Sequence, residues 1–198
     1  MSSLSNLQSL TRQQYRFDPN GRVFGDSELE LYINQSYKTV QVELGLLLES
    51  KETITTVSGT QEYTLPTNLY HISSVQFGSE TLPQINYEDN DTTLWNPYSY
   101  YIRETATGLS LGLSGIPDGA YSIEVYYKGY RADIDSTTDA STPTQYDLLI
   151  ALYSAYIAEY TLRGNSQNAV AKMQAYNQEK ARLAKGRYKT NISFNYKR

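Results

Sequence analysis

The sequence contains no cysteine and a single histidine, His71. Without thiols there are no disulfides, no thiolate metal sites and no cysteine redox chemistry, which suits folding in a reducing cytosol. One imidazole unsupported by thiolates argues against a zinc site. Long apolar runs are missing too. No window approaches the roughly 18 apolar residues of a spanning helix, and the opening MSSLSNLQSLTRQQ has neither the basic nor the apolar region of an export signal. The expectation is a chain that is not exported and has no membrane partner. Neither a P-loop nor a G-x-G-x-x-G fingerprint occurs. What is present, 198 residues with 39% hydrophobic and 19% charged, suits one good core or one core carrying an inserted module.

Tyrosine and the distribution of charge stand out. There are 20 tyrosines against four phenylalanines and one tryptophan, and half of them lie between Glu52 and Tyr130. A ring that is apolar with a hydroxyl that tolerates water suits either a tyrosine-rich core and sheet edge or a protein that meets neighbours on several faces. The net charge of −4 conceals an asymmetry: Lys180 to Arg198 holds seven basic residues and no acidic one, which leaves −11 for the rest. That end is either the solvated basic terminus of a helix, where cations are favourable, or a docking tail.

Periodicity predicts a short helix over Ser3–Gln14 and a long one over Ser27–Leu48. The long helix opens on a Ser27–Glu30 capping box and carries Leu29, Tyr32, Ile33, Tyr37, Val40, Leu44 and Leu47 on one stripe. From Thr53 to Gly78 the pattern becomes β-type, with two or three short strands around the Ser58-Gly59 turn and Pro66. Leu109, Leu111 and Leu113 alternate, as do Tyr121, Ile123, Val125 and Tyr127 after Pro117-Asp118-Gly119. These two runs are expected to be neighbouring antiparallel strands in a region of about six. A polar stretch, Ala132–Thr144, closes the β region. Helices follow to Arg163 and over Ser166–Lys185, broken by Gly164-Asn165. Ile192, Phe194 and Tyr196 then alternate with polar residues in a strand pattern that could add to a sheet edge.

Candidate chemistry is sparse. Gly108 to Gly112 matches G-x-S-x-G, but Ser110 falls inside an alternating strand and the one histidine precedes it, against the order and turn of a nucleophile elbow. His71 reads as a half-buried strand or rim residue. The acidic groups Glu88-Asp89-Asn90-Asp91 and Asp133-x-Asp135 with Asp139 lack the frame of a calcium loop and read as solvated loops. No enzyme, no metal site and no cofactor is expected.

The order of the elements resembles the head-to-tail adaptor, or connector, proteins of tailed bacteriophages. The resemblance rests on ELELYINQSYKTVQVEL (Glu28–Leu44), with its Ile33-Asn34 pair, and on SGTQEYTLPTNLYHISSVQFG (Ser58–Gly78). LSLGLSGIPDGAYSIEVYYKGY (Leu109–Tyr130) and TPTQYDLLIALYSAYIAEY (Thr142–Tyr160) complete it. It implies an α+β fold: a helical bundle (residues 1–50 and 142–185), made of the long N-terminal helix and a C-terminal hairpin, with an inserted antiparallel β-sandwich or barrel-like module (51–141) and an extended basic tail (186–198).

The resemblance further implies a structural virion protein in the neck, assembled in the host cytoplasm as a ring, typically of twelve copies. The ring would dock on the portal protein and extend the DNA channel to the next tail or nozzle protein, DNA passing without specific binding. Portal docking falls on Arg187, Tyr188, Lys189, Ile192, Phe194, Tyr196, Lys197 and Arg198. Trp95, Tyr98, Tyr100, Tyr101, Tyr126 and Tyr130 are candidates for subunit or tail interfaces. Nine carboxylates against Arg103 and Lys128 give Glu52–Tyr130 a charge of −7, which repels a phosphate backbone. Two other readings stand beside this one: a carbohydrate-binding β module using Trp95, Tyr98, Tyr100 and Tyr101 on a helical base, and nucleic-acid binding through the basic tail.

Overall fold

In the structure, a computed structural model describing residues 2–14, 23–106 and 108–192 with side chains as far as residue 185, the chain opens with α1 (Leu4–Gln14) and α2 (Asp26–Glu43). α2 buries the expected stripe, Leu29, Tyr32, Ile33, Tyr37 and Val40. It stops short of Leu48, however, because Gly45 adopts φ +62°. The Gly45 amide turns back to the Val42 carbonyl and the Leu46 amide to that of Gln41, a Schellman closure that a glycine permits without strain. Leu44 and Leu46 then pack on the helical core from outside the helix. The expected capping box is also absent: α2 begins after Gly25, with no side-chain cap, and Ser27 lies within the first turn.

α3 (Asp147–Arg163) ends at Gly164, and α4 (Gln167–Ile192) follows, with Ser166 accepting from the Ala169 amide at 3.2 Å as a helix cap. α3 packs against α1, α2 and α4. Where it meets α2 the residues are small: the Ser154 hydroxyl lies 2.9 Å from that of Ser36 and donates to the Ile150 carbonyl, so both buried hydroxyls are satisfied at the crossing. One cluster joins Leu4, Leu7, Ile33, Tyr37, Val40, Leu149, Ile150 and Tyr176.

α4 continues seven residues past Lys185, so 186–192 are helical rather than extended. That stretch contains no proline, arginine and lysine are good helix formers, and cations favour a helix C-terminus. The largest single cost is Gly186, about 1 kcal/mol. Residues 193–198 lie outside the described residues.

The second unit is all β. Its strands are β1 (Leu48–Thr55), β2 (Glu62–Thr64), β3 (Leu69–Phe77), β4 (Glu80–Thr81), β5 (Ser99–Thr105), β6 (Gly108–Ser114) and β7 (Ser122–Gly129). They form two antiparallel sheets, ordered β1-β7-β3-β4 and β2-β6-β5. β6 and β7, expected to be neighbours, therefore belong to different sheets. The link between them holds Gly115 at φ +80° and a proline, too long for a tight hairpin, and carries the chain across. Ile54, Val75, Ile123 and Val125 from one sheet and Tyr100, Leu111 and Leu113 from the other form one buried cluster.

The compact units are Met1–Leu46 with Ala132–Arg198, and Leu47–Arg131, against the division at 50/51 and 141/142 read from the sequence. The segment after Arg131 goes with the helices because Ile134 and Ala140 are buried in their core. Asn34 clamps it, accepting from the Ile134 amide at 2.7 Å and donating to its carbonyl at 2.9 Å.

Candidate functional site

Within the helical unit, the face of α2 turned away from the core lines an open groove of about 530 Å³ with Ser27, Glu30, Leu31, Asn34, Gln35, Lys38 and Asp133. Lys38 and Asp133 pair across it at 2.9 Å. Its lining residues are polar or charged apart from Leu31, and nothing in it is arranged for bond-making. Elsewhere in the unit Tyr176 is buried, donating its hydroxyl to Glu43, which also takes Lys180 at 2.9 Å. Burial and the Glu43 carboxylate hold the Tyr176 hydroxyl protonated far above the usual tyrosine range.

The β unit carries its informative chemistry in the connection from β4 to β5. Asp91 anchors this loop: its carboxylate accepts from the Thr93 amide and hydroxyl, both at 2.9 Å, and from the Tyr98 hydroxyl at 3.2 Å. Those donors, the Thr93 amide first, hold the carboxyl below its usual pKa. Its backbone is tied as well, the amide donating to the Ser114 hydroxyl at 2.8 Å and the carbonyl accepting from the Gly115 amide at 3.1 Å. Beyond it, the Trp95 amide donates to the Ile116 carbonyl and the Ile116 amide to that of Thr93, each at 2.8 Å. The Leu94 and Trp95 side chains, on this pinned backbone, are 60% and 65% exposed.

The aromatic residues singled out in sequence part company here. Trp95 and Tyr98 are exposed, but Tyr100 and Tyr101 are buried, at 6% and 1%. Tyr100 points into the core shared by the sheets. Tyr101 lies over Gly112, where a Cβ would come within 1.9 Å of its ring. Tyr87 covers it edge-on at 5.2 Å, and Arg103 stacks on Tyr87 while pairing with Glu62 at 3.0 Å. Burial, then Glu62, pushes the Tyr101 hydroxyl up to about 12. Four rings in one platform, as a sugar site would need, are therefore not assembled. Tyr126 donates to Glu124 on its own strand, and Tyr130 packs edge-on with exposed Tyr70.

Ser110 is buried in β6 with its hydroxyl directed to the Arg103 carbonyl at 3.3 Å, and His71 is exposed on β3 in the other sheet. Asp135 folds its own turn, accepting from the Thr137 and Thr138 amides. Among the described residues no cluster of three metal-ligating side chains occurs, and no helix is long and apolar enough to cross a membrane. In the tail set, Arg187, Tyr188, Lys189 and Ile192 have their backbone in α4, whereas Phe194, Tyr196, Lys197 and Arg198 fall outside the described residues. Sequence reasoning passed over the anchoring role of Asp91, although Asn90-Asp91-Thr92-Thr93 is a composition that forms side-chain-to-backbone turns.

Residues 4–193 match the family model of the SU10 adaptor protein. The chain belongs to that family. The match covers both units, so the loop anchored by Asp91 and all of α4 lie within it. Comparison with curated proteins finds no match. As a phage adaptor the protein is a viral structural component of the virion that interacts with other head and tail parts.

Proposed function

We propose that this adaptor sits in the neck of the virion as a homo-oligomeric ring, docks on the portal through Gly186–Arg198 and extends the DNA channel toward the tail. The observation that carries the reading is the joint one: family membership over residues 4–193 and a C-terminal stretch with seven basic and no acidic side chains from Lys180 onward. Lys180 and Arg182 pair within the chain, with Glu43 and Glu179, so this reading gives the docking role to the cations that follow them in sequence. In this reading α4 carries the segment as a helix to Ile192, and the residues after it complete the contact. Association repeated around a symmetric ring multiplies a modest contact per copy. The acidic β region, at −7 between Glu52 and Tyr130, suits a channel component past which DNA moves without adhering.

Deleting Gly186–Arg198 tests the docking role. Attachment to portal-bearing heads, measured by co-sedimentation, is expected to fall at least tenfold, the equivalent of about 1.4 kcal/mol. Attachment unchanged by the deletion would remove the tail from the interface. Electron microscopy of the chain alone and mixed with portal reports the symmetry directly.

A further inference from the structure

α3 is buried along most of its length, and one face of it leaves a stripe of tyrosine at the surface. Tyr153, Tyr156 and Tyr160 follow at steps of three and four, their rings 5.5 Å and 5.8 Å apart, and Tyr153 rests at 4.9 Å on the buried ring of Tyr176 in α4. Tyr153 and Tyr156 are partly exposed, and Tyr160 is 51% exposed. Ring contacts therefore join the patch and fix its floor. Arg163, three residues on from Tyr160 and half exposed, borders it. The carboxylates beside the stripe are engaged, Glu43 by Tyr176 and Lys180, and buried Glu159 by Ser166 and Arg163. The outer groove of α2, which no residue of α3 or α4 lines, presents a single large apolar side chain, Leu31, 65% exposed. Glu28 precedes it by three residues; it is exposed and accepts from the Tyr32 hydroxyl at 2.8 Å through one carboxylate oxygen.

We propose that Leu31 of one copy seats on the Tyr156–Tyr160 stripe of a neighbouring copy, with Glu28 meeting Arg163, and that this contact between unlike surfaces is the lateral joint of the ring. The inference rests on the ring reading and adds the surfaces that close it. Level along the helices selects a second copy as the occupant. α2 and α3 run antiparallel, since the Ser36 hydroxyl lies 2.9 Å from that of Ser154 and Tyr32 clusters with Ala158. Leu31 lies five residues before Ser36 and Glu159 five after Ser154, so Leu31 is level with Glu159 and Tyr160. By the same count Glu28 is level with Leu162 and Arg163. Rotation about an axis along these helices preserves level, so it brings the next copy's Leu31 to Tyr160 and its Glu28 to Arg163, apolar on aromatic and anion on cation. A stripe packed on its own two-fold mate would leave Leu31 uncovered and stop at two copies. Tyrosine suits such a joint, because its ring buries a large area at a small cost in freedom and its hydroxyl tolerates water before assembly.

The chain has no cysteine, so a short bismaleimide reports engineered thiols without background. The full chain carrying Leu31→Cys with Tyr160→Cys is supplied in trans during phage assembly, and treated particles are run on a denaturing gel. A second pair, Glu28→Cys with Arg163→Cys, keeps Leu31 and the tyrosines in place. Both double variants should give ladders that extend past two copies, while each single variant stays monomeric, because unlike surfaces never bring two identical thiols together. Double variants that stay monomeric in particles whose ring is visible by electron microscopy would overturn the joint and leave the ring reading standing. Particles without a ring would remove the ring reading and the joint with it. Dimers from Tyr160→Cys alone would replace the joint by a two-fold contact. Leu31→Asp, at an exposed position, is expected to lower the adaptor copies per particle at least ~10-fold, with the circular dichroism and thermal midpoint of the chain unchanged. Wild-type occupancy in that variant would remove Leu31 from the contact.

Discussion

Among the described residues, the helical unit buries four of its seven tyrosines, whereas the β unit buries three of its ten. In the helices Tyr37, Tyr146 and Tyr176 are core side chains; Tyr37 accepts from the Ser141 amide at 3.1 Å, and Tyr176 serves Glu43. In the β unit Tyr70, Tyr87 and Tyr98 stand exposed on edges and loops, although Tyr100 and Tyr101 do not. A tyrosine total therefore marks neither a core nor an interface. A satisfied hydroxyl does not separate the two either, since exposed Tyr98 donates to Asp91 within its own unit.

That contrast can be broken by substitution, the largest effect coming from the helical side. Tyr176→Ala should destabilise the helical unit by about 3–5 kcal/mol, because it removes a fully buried ring, while Tyr176→Phe should cost only about 1 kcal/mol, since Glu43 keeps Lys180 and some water. Urea unfolding followed by helical circular dichroism measures both. Equal losses would mean that the hydroxyl, not the ring, carries the site.

In the β unit the corresponding position is a glycine. Gly112→Ala should cost about 1–3 kcal/mol, as its Cβ displaces the Tyr101 ring, and most of that cost should vanish in a Tyr101→Ala background. Strict additivity in the double-mutant cycle would refute the packing account.

The smallest expected effect is the loss of stability with alkaline pH. Tyr101 and Tyr176 both have folded-state values above that of an unfolded tyrosine, near 10. Their contribution is therefore complete below pH 10 and declines as pH rises above it, toward about 12 for Tyr101. A phenolate absorbance titration should show exposed tyrosines ionising first and these two only later, or on unfolding. A single uniform transition would erase the distinction between the two classes.

Much of this division was legible as pattern. The apolar stripe of α2 and the alternation in β6 and β7 locate the inward faces correctly, because periods of 3.6 and 2 follow directly from backbone geometry. The end of α2 was not, since Leu44 and Leu47 extend the stripe past a glycine whose left-handed turn only tertiary packing makes worthwhile. Sheet membership was hidden too, because alternation shows which side chains face a core and not which strand lies beside which. The adjacent pair Tyr100 and Tyr101 shows the same limit: period 2 sends one inward and one outward, and the outward ring is buried only because Gly112 leaves room and Tyr87 covers it. Trp95 could be read as an aromatic of interest. The anchoring of its loop depends on Ser114 and Ile116, some twenty residues away in sequence.

α4 spans 26 residues, about 39 Å of continuous helix. Each residue in it advances the chain ~1.5 Å and turns it about 100°, so the helix sets the compass bearing at which residue 193 departs. Removing or adding one residue after Lys185 would swing that departure by more than a quarter turn. Length in this stretch is thus a phase setting, and changes of three or four residues, close to one whole turn, are the ones the chain could absorb.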